Sequence, residues 1–208
     1  MTETTKRYKV NEIYHSVQGE GKRAGQASIF LRFTGCNMRC AMEPGDKSPG
    51  GFDCDTEFES GIRMSASQIV ERCIEESGGR STKWIVATGG EPALQLDEVL
   101  IDALHSAGFR IQIETNGSIQ VSDKIDFITV SPKVAEHCIR QTKATEVKYV
   151  RGYGQALPKT RVEAGHYLIS PAFNGASPDK RTIEWCQQLV AGTEWEISVQ
   201  LHKIEGIR

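Results

Sequence analysis

Short strand-like runs, several of them ending in a loop of glycines, cysteines or small polar residues, constrain this chain more than any other feature. Residues 27–34, 83–88, 109–115, 126–130, 146–150, 167–170 and 195–200 carry apolar patterns of strand length, and residues 7–14 alternate loosely, as an edge strand does. Helical spacing shows in three places. Ser65 and Gln68 form a capping box ahead of Ile69, Val70, Cys73 and Ile74, and Gly78 and Gly79 stop that helix. A second helical pattern runs from Leu96 to Ala107 with Gly108 as its stop, and Ser177 with Pro178 opens a third that passes Trp185 and ends near Val190. Strands alternating with helices predict a parallel sheet with crossover connections. With about six parallel strands and few helices, the expected class is α/β, a shortened, open (partial) TIM-like barrel, read as one domain over 1–208.

In such a sheet a ligand binds at the carboxyl ends of the strands. Four segments fall there: the cysteine loop after residues 27–34, then G-G-E-P, E-T-N-G and S-P-K. The cysteine loop carries Cys36, Cys40 and Cys54, three thiolates that suit an iron-sulfur cubane with one iron left without a protein ligand. An open metal position marks a working site rather than a structural one. Arg32 alternates with Leu31 and Phe33, so it faces away from them. A buried guanidinium there needs an anion, either a ligand carboxylate or an acid on a neighbouring strand. The loop H-S-V-Q-G-E-G reads either as a surface turn or as a close backbone approach to a ligand, with Gln18 and Glu20 offering an amide and a carboxylate.

A net charge of -2 over 208 residues, with acids and bases interspersed, argues against a nucleic-acid surface and for a small-molecule partner. No apolar run is long enough to span a bilayer, and M-T-E-T-T-K-R-Y lacks the apolar core of a secretion signal, so a cytoplasmic protein without membrane association is expected. Six cysteines in a reducing compartment suit metal or redox chemistry better than disulfides. Cys73 and Cys186, each set among apolar residues at helical spacing, read as small buried hydrophobes.

The combination N-E-I-Y-H-S-V-Q-G-E-G, F-L-R-F-T-G-C-N-M-R-C, F-D-C-D-T, T-G-G-E-P, E-T-N-G, S-P-K and V-Q-L-H-K resembles the radical SAM enzymes, and within them the 7-carboxy-7-deazaguanine synthase family of the queuosine pathway. The resemblance spans nearly the whole chain. It implies a radical SAM domain with an extended cluster-binding loop at 36–56, and a lyase that converts 6-carboxy-5,6,7,8-tetrahydropterin to 7-carboxy-7-deazaguanine with loss of ammonia. The implied cofactors are a [4Fe-4S] cluster, S-adenosylmethionine and Mg2+. The implied partners are a second copy in a homodimer and an electron donor such as flavodoxin or ferredoxin.

Carried over by motif, Cys36, Cys40 and Cys54 ligate the cluster and Thr56 gives its hydroxyl to Mg2+. Asp53, Cys54, Asp55, Gly90, Ser131, Pro132 and Lys133 contact S-adenosylmethionine, with Glu114 a lesser candidate for its ribose. Val17, Gln18, Gly19, Arg32 and Thr88 contact substrate, and the terminal carboxylate of Arg208 reaches toward the pterin ring. The chemistry is radical, so no acid or base is assigned. The chain departs from the pattern in its C-x3-C-x13-C spacing, with Gly51 where expanded relatives carry a cysteine, and in Asp53 where an aromatic usually flanks the adenine, a role open to Phe52. Three rivals remain: a zinc site completed by His137 or His15, an activase that generates a glycyl radical on a partner protein, and a scaffold with an inert cysteine loop.

Overall fold

A computed structural model of the chain describes residues 6–40, 54, 57–173 and 179–207. Its elements are β1 (Tyr8–Val17), β2 (Ala27–Phe33), β3 (Ile62–Met64), α1 (Ala66–Ser77), β4 (Trp84–Gly89), α2 (Glu98–Ser106), β5 (Arg110–Thr115), β6 (Phe127–Val130), β7 (Lys143–Arg151), β8 (Glu163–Pro171), α3 (Lys180–Val190), β9 (Trp195–Ile197) and α4 (Leu201–Ile204). The strands form one sheet in the order β3-β1-β2-β4-β5-β6-β7-β8-β9. From β2 onward every described pairing in that row is parallel, whereas β1 runs antiparallel to both β2 and β3. The sheet therefore has the parallel run of an open barrel, with an antiparallel flap at one edge.

Strand alternation sorts the two faces by polarity. Ile29, Leu31 and Phe33 on β2, Ile85 and Ala87 on β4, and Ile111 and Ile113 on β5 are fully buried, packed with Ile69 and Cys73 of α1 and Leu100, Ile101 and Leu104 of α2. Each such side chain withdrawn from water contributes about 1.5–3 kcal/mol. A second cluster sets Val147, Tyr149 and Ile169 against Cys186 of α3 and Trp195. The opposite face carries Ser28, Gln112, Thr129, Glu146 and Lys148, which are buried as well. Buried polar groups of this kind must satisfy one another or a ligand.

The connections explain why so few helices suffice. Among the described residues, no α-helix joins β5 to β6, β6 to β7 or β7 to β8. Ile139, Leu157 and Val162, from those connections, pack into the second cluster in place of crossover helices. α1 begins at the expected capping box, Ser65 with Gln68, and ends on Gly78 in the left-handed conformation. α3 is capped by Asp179, which accepts from the Thr182 N–H at 2.9 Å; Ser177 and Pro178, expected to open it, lie outside the described residues. No described helix is long and apolar enough to cross a membrane.

Three differences from the sequence expectations matter. β1 continues three residues beyond Tyr14, so His15, Ser16 and Val17 are strand rather than loop, held by pairing with Ile29, Ser28 and Ala27. β3 and α4 have no counterpart in the sequence reading, because three- and four-residue elements are too short to show periodicity. The last strand stops at Ile197 instead of residue 200, because Ser198 and Gln200 turn to bond the loop after β1.

Candidate functional site

At the carboxyl ends of the strands, the four motif loops are stitched to one another. The Gly90 N–H donates to Phe33 O at 3.2 Å and the Glu91 N–H to Gly35 O at 2.9 Å, which fixes the end of β4 against the start of the cysteine loop. A methyl group at Gly90 would overlap the Gly35 carbonyl, so glycine is required for this approach. Glu91 is buried, and its carboxylate accepts from the Thr115 hydroxyl and the Asn116 N–H, both at 2.7 Å, and from the Ala93 N–H at 3.0 Å. Asn116 in turn donates to Asn37 at 3.0 Å, and the Ser131 N–H donates to Thr115 O at 2.7 Å. G-G-E-P is thus first a joint between loops. Its glycines seat the cysteine loop, a role the sequence pattern did not suggest.

Cys36 and Cys40 are half-buried at this joint and Cys54 is exposed. Burial pushes the Cys36 and Cys40 thiols up, the nearby Lys133 ammonium pulls Cys40 back, and both thiols feel Cys54. None of the six cysteines forms a disulfide. Among the described residues, no three His, Cys, Asp or Glu side chains converge on one point as a single metal ion requires. Three thiols in one loop are a donor set that fits an iron-sulfur cubane, in which each thiolate binds its own iron. His15 instead bonds Thr82 at 3.1 Å, just ahead of β4 and at the end of that strand remote from the thiols.

Beside this joint, lined by Gly90, Thr115 and Asn116 among others, lies a cavity of about 430 Å³, which suits a small-molecule ligand. Val17, Gln18, Gly19, Arg32, Thr88, Gly90, Ser131 and Lys133 all line it, while Pro132 does not. Asp53, Asp55, Thr56 and Arg208, together with Gly51 and Phe52, lie outside the described residues. Both readings of Arg32 meet here. Its Nε stands 3.3 Å from Glu12 on β1 and its Nη2 donates to the Tyr14 hydroxyl at 3.1 Å, yet the side chain lines the cavity and its buried Nε makes no hydrogen bond. Tyr14 is itself stacked on Phe30, with ring centroids 5.2 Å apart.

The inner wall also holds residues that had no sequence signal or only a weak one. The loop between β1 and β2 crosses the inner face of the sheet. The buried Arg23 reaches Gln112 on β5 and, at 3.1 Å, Ser28 on β2, while its guanidinium lies 3.8 Å from the Trp84 ring. The Lys22 N–H donates to Glu146 on β7 at 2.8 Å. Glu20 pairs closely with Lys148, and its other oxygen accepts from Gln200 at 2.7 Å. Glu114 is paired with the same lysine at 3.5 Å, and it also lines the cavity. His202 of α4 packs so tightly on Gly19 that a side chain there has no room, and the Leu201 N–H donates to Gly19 O at 2.8 Å. Lys148 sits in E-V-K-Y-V beside Glu146 on the inward face. Two charges alternating with buried apolar residues were the one signal available.

The comparisons with known proteins follow the same line. The chain is 38% identical over 212 residues to the 7-carboxy-7-deazaguanine synthase of Burkholderia multivorans, covering 96% of this chain and 99% of the relative. It is 35% identical over 209 residues to the synthase of the same name from Caulobacter vibrioides, with the same coverage. Among solved structures it superposes on QueE from Escherichia coli with a TM-score of 0.69, over 94% of this chain and 95% of that one, at 23% identity. That likeness supports the fold of a partial barrel. No family model matches the chain.

Proposed function

The chain belongs to the 7-carboxy-7-deazaguanine synthase family, and from that premise we propose that it catalyses the ring contraction of 6-carboxy-5,6,7,8-tetrahydropterin to 7-carboxy-7-deazaguanine with loss of ammonia, as a radical SAM carbon-nitrogen lyase. The observation that carries the proposal is the end-to-end match to relatives of that name, joined to a cysteine loop whose start is fixed against Gly90, which lines the same cavity as Arg32. Cys36, Cys40 and Cys54 would hold the [4Fe-4S] cluster, and Gly90, Ser131 and Lys133, with Pro132, Asp53 and Asp55, would hold S-adenosylmethionine. Thr56 would take Mg2+. Once bound, these groups supply the radical that takes a hydrogen from the substrate.

The chain's own residues bind and orient. Arg32, braced by Glu12 and Tyr14, presents a fixed guanidinium to the substrate carboxylate, a charge-assisted pairing that fixes geometry as well as affinity. The ionised Glu20 faces the cyclic N–H edge of a pterin, and Gln18 and Thr88 supply polar contacts on the same wall. Docking of α4 over Gly19 shields that edge from water. A homodimer, an electron donor of the flavodoxin or ferredoxin type and a cytoplasmic location complete the proposal.

Anaerobic reconstitution followed by incubation with reductant, S-adenosylmethionine, Mg2+ and carboxytetrahydropterin tests it. Mass spectrometry should find 7-carboxy-7-deazaguanine and ammonia. A brown, cluster-bearing protein that cleaves S-adenosylmethionine without deazaguanine would overturn the substrate assignment and favour the glycyl-radical activase. A colourless protein binding one zinc would overturn the cluster.

A further inference from the structure

The inner wall of the cavity holds three carboxylates around one lysine, and they do not share it equally. Lys148 projects from the middle of β7 with its side chain 8% exposed. Its ammonium is in close contact with Glu20 Oε2 but stands 3.5 Å from Glu114 Oε2. The second oxygen of Glu20 accepts from Gln200 at 2.7 Å. Glu114 Oε1 accepts from two neutral amides, Gln18 at 3.1 Å and Gln112 at 2.8 Å. Glu146, two residues before Lys148, is bound by the Thr129 hydroxyl at 2.9 Å and the Lys22 N–H at 2.8 Å. The other charges acting on the cluster are Arg23, which faces Glu114 and Glu146, and His202, which faces Glu20.

One buried cation cannot hold two acids alike when one is in direct contact and the other is not. We infer that Lys148 is a positioning residue for this site: it pins Glu20 as the acceptor for the substrate's N–H edge and leaves Glu114, held by neutral amides, as the weakly paired carboxyl of the wall. The inference rests on the pterin reading above, because that N–H edge belongs to the pterin. The charge balance agrees with the geometry. Burial works to raise the Glu20 carboxyl, yet Lys148 outweighs it and holds the group at about 2. Burial lifts Glu114 to about 7, against the pull of Lys148 and with the push of Glu20 and Glu146. Environments that drive two neighbouring acids apart assign them different roles.

The test is the affinity of the anaerobic holoenzyme for 6-carboxypterin, the unreactive oxidised analogue, measured by fluorescence quenching from about pH 5.5 to about pH 7.5. In the wild type Glu114 contributes an inflection in this window, which Glu114→Gln should remove. In Lys148→Met the two acids must share a proton, so Glu20 is neutralised as pH falls and affinity should drop by up to about tenfold per pH unit. Lys148→Arg should restore most of the wild-type profile. A Lys148→Met profile parallel to wild type, weaker by one factor at every pH, would show that the lysine only fills space and would overturn the inference. Should that variant fail to fold, Glu20→Gln/Lys148→Met, with both charges removed, carries the test. Weak binding supports the inference, and wild-type affinity in that pair overturns it. A wild type that does not bind the analogue at all overturns the pterin reading first, and this inference with it.

Discussion

The rim and the inner wall of the cavity are built on different principles. The rim is a set of neighbouring loops joined by backbone hydrogen bonds and by the buried Glu91 carboxyl, with Gly90 at the joint. The inner wall is a charged network whose members are far apart in the chain: Glu20, Glu114, Lys148 and Gln200. Loss of one contact therefore has different consequences in the two places. At the rim it leaves buried donors unpaired and loosens the thiols, while on the wall it redistributes charge and moves protonation states.

The separation breaks most sharply with Cys40→Ala. Cluster assembly should be abolished, read as loss of the visible absorption after anaerobic reconstitution, while 6-carboxypterin affinity stays within about threefold. A full [4Fe-4S] signal in that variant would show that another residue supplies the second ligand. Next in size, Glu91→Ala strands three donors at the rim joint and should cost about 3 kcal/mol in urea unfolding. An effect below about 1 kcal/mol would mean that the joint is not under load.

Smaller and of the wall type is Glu114→Gln. The Glu114 carboxyl is lifted to about 7 in the folded protein from an unfolded value near 4.5. Between those two pH values the folded protein binds more protons, so stability falls as pH rises through the window. Glu114→Gln should thus gain up to about 2 kcal/mol over wild type at about pH 8 and nothing at about pH 4. A gain independent of pH would point to packing instead. The smallest effect is expected for Lys22→Ala, which removes an exposed ion pair to Glu196 at 3.0 Å and should cost under about 0.5 kcal/mol in the same assay.

The same contrast decides what was legible in the sequence. The rim could be read because its parts are local: a strand, then a motif at the strand's end. Arg32, placed inward by alternation with Leu31 and Phe33, lines the cavity, and those two neighbours are fully buried on the other face. Cys73 and Cys186 are buried in the two apolar clusters as expected. The wall could not be read in this way. Nothing in E-V-K-Y-V shows that Lys148 meets Glu20, and nothing in V-Q-L-H-K shows that Gln200 does. Those pairings depend on the sheet's curvature and on a loop crossing its inner face, neither of which has a periodic signature. The short elements β3 and α4 were lost for the related reason that pattern needs length.

The docking of the Q-G-E-G loop on α4 bears on how the chain folds. Its hydrogen bonds span 128 residues from Glu20 to Lys148 and 180 from Glu20 to Gln200. Contacts so distant in sequence bear the largest loop-closure entropy, which places them late, after the β2–β4–β5 unit with its helices. The joint of Gly35 with Glu91 is then in place before the pocket is closed. Pulse-labelled hydrogen exchange should find the amide of Ile113 protected before that of Leu201, and the reverse order would place the seam of the barrel in the folding nucleus.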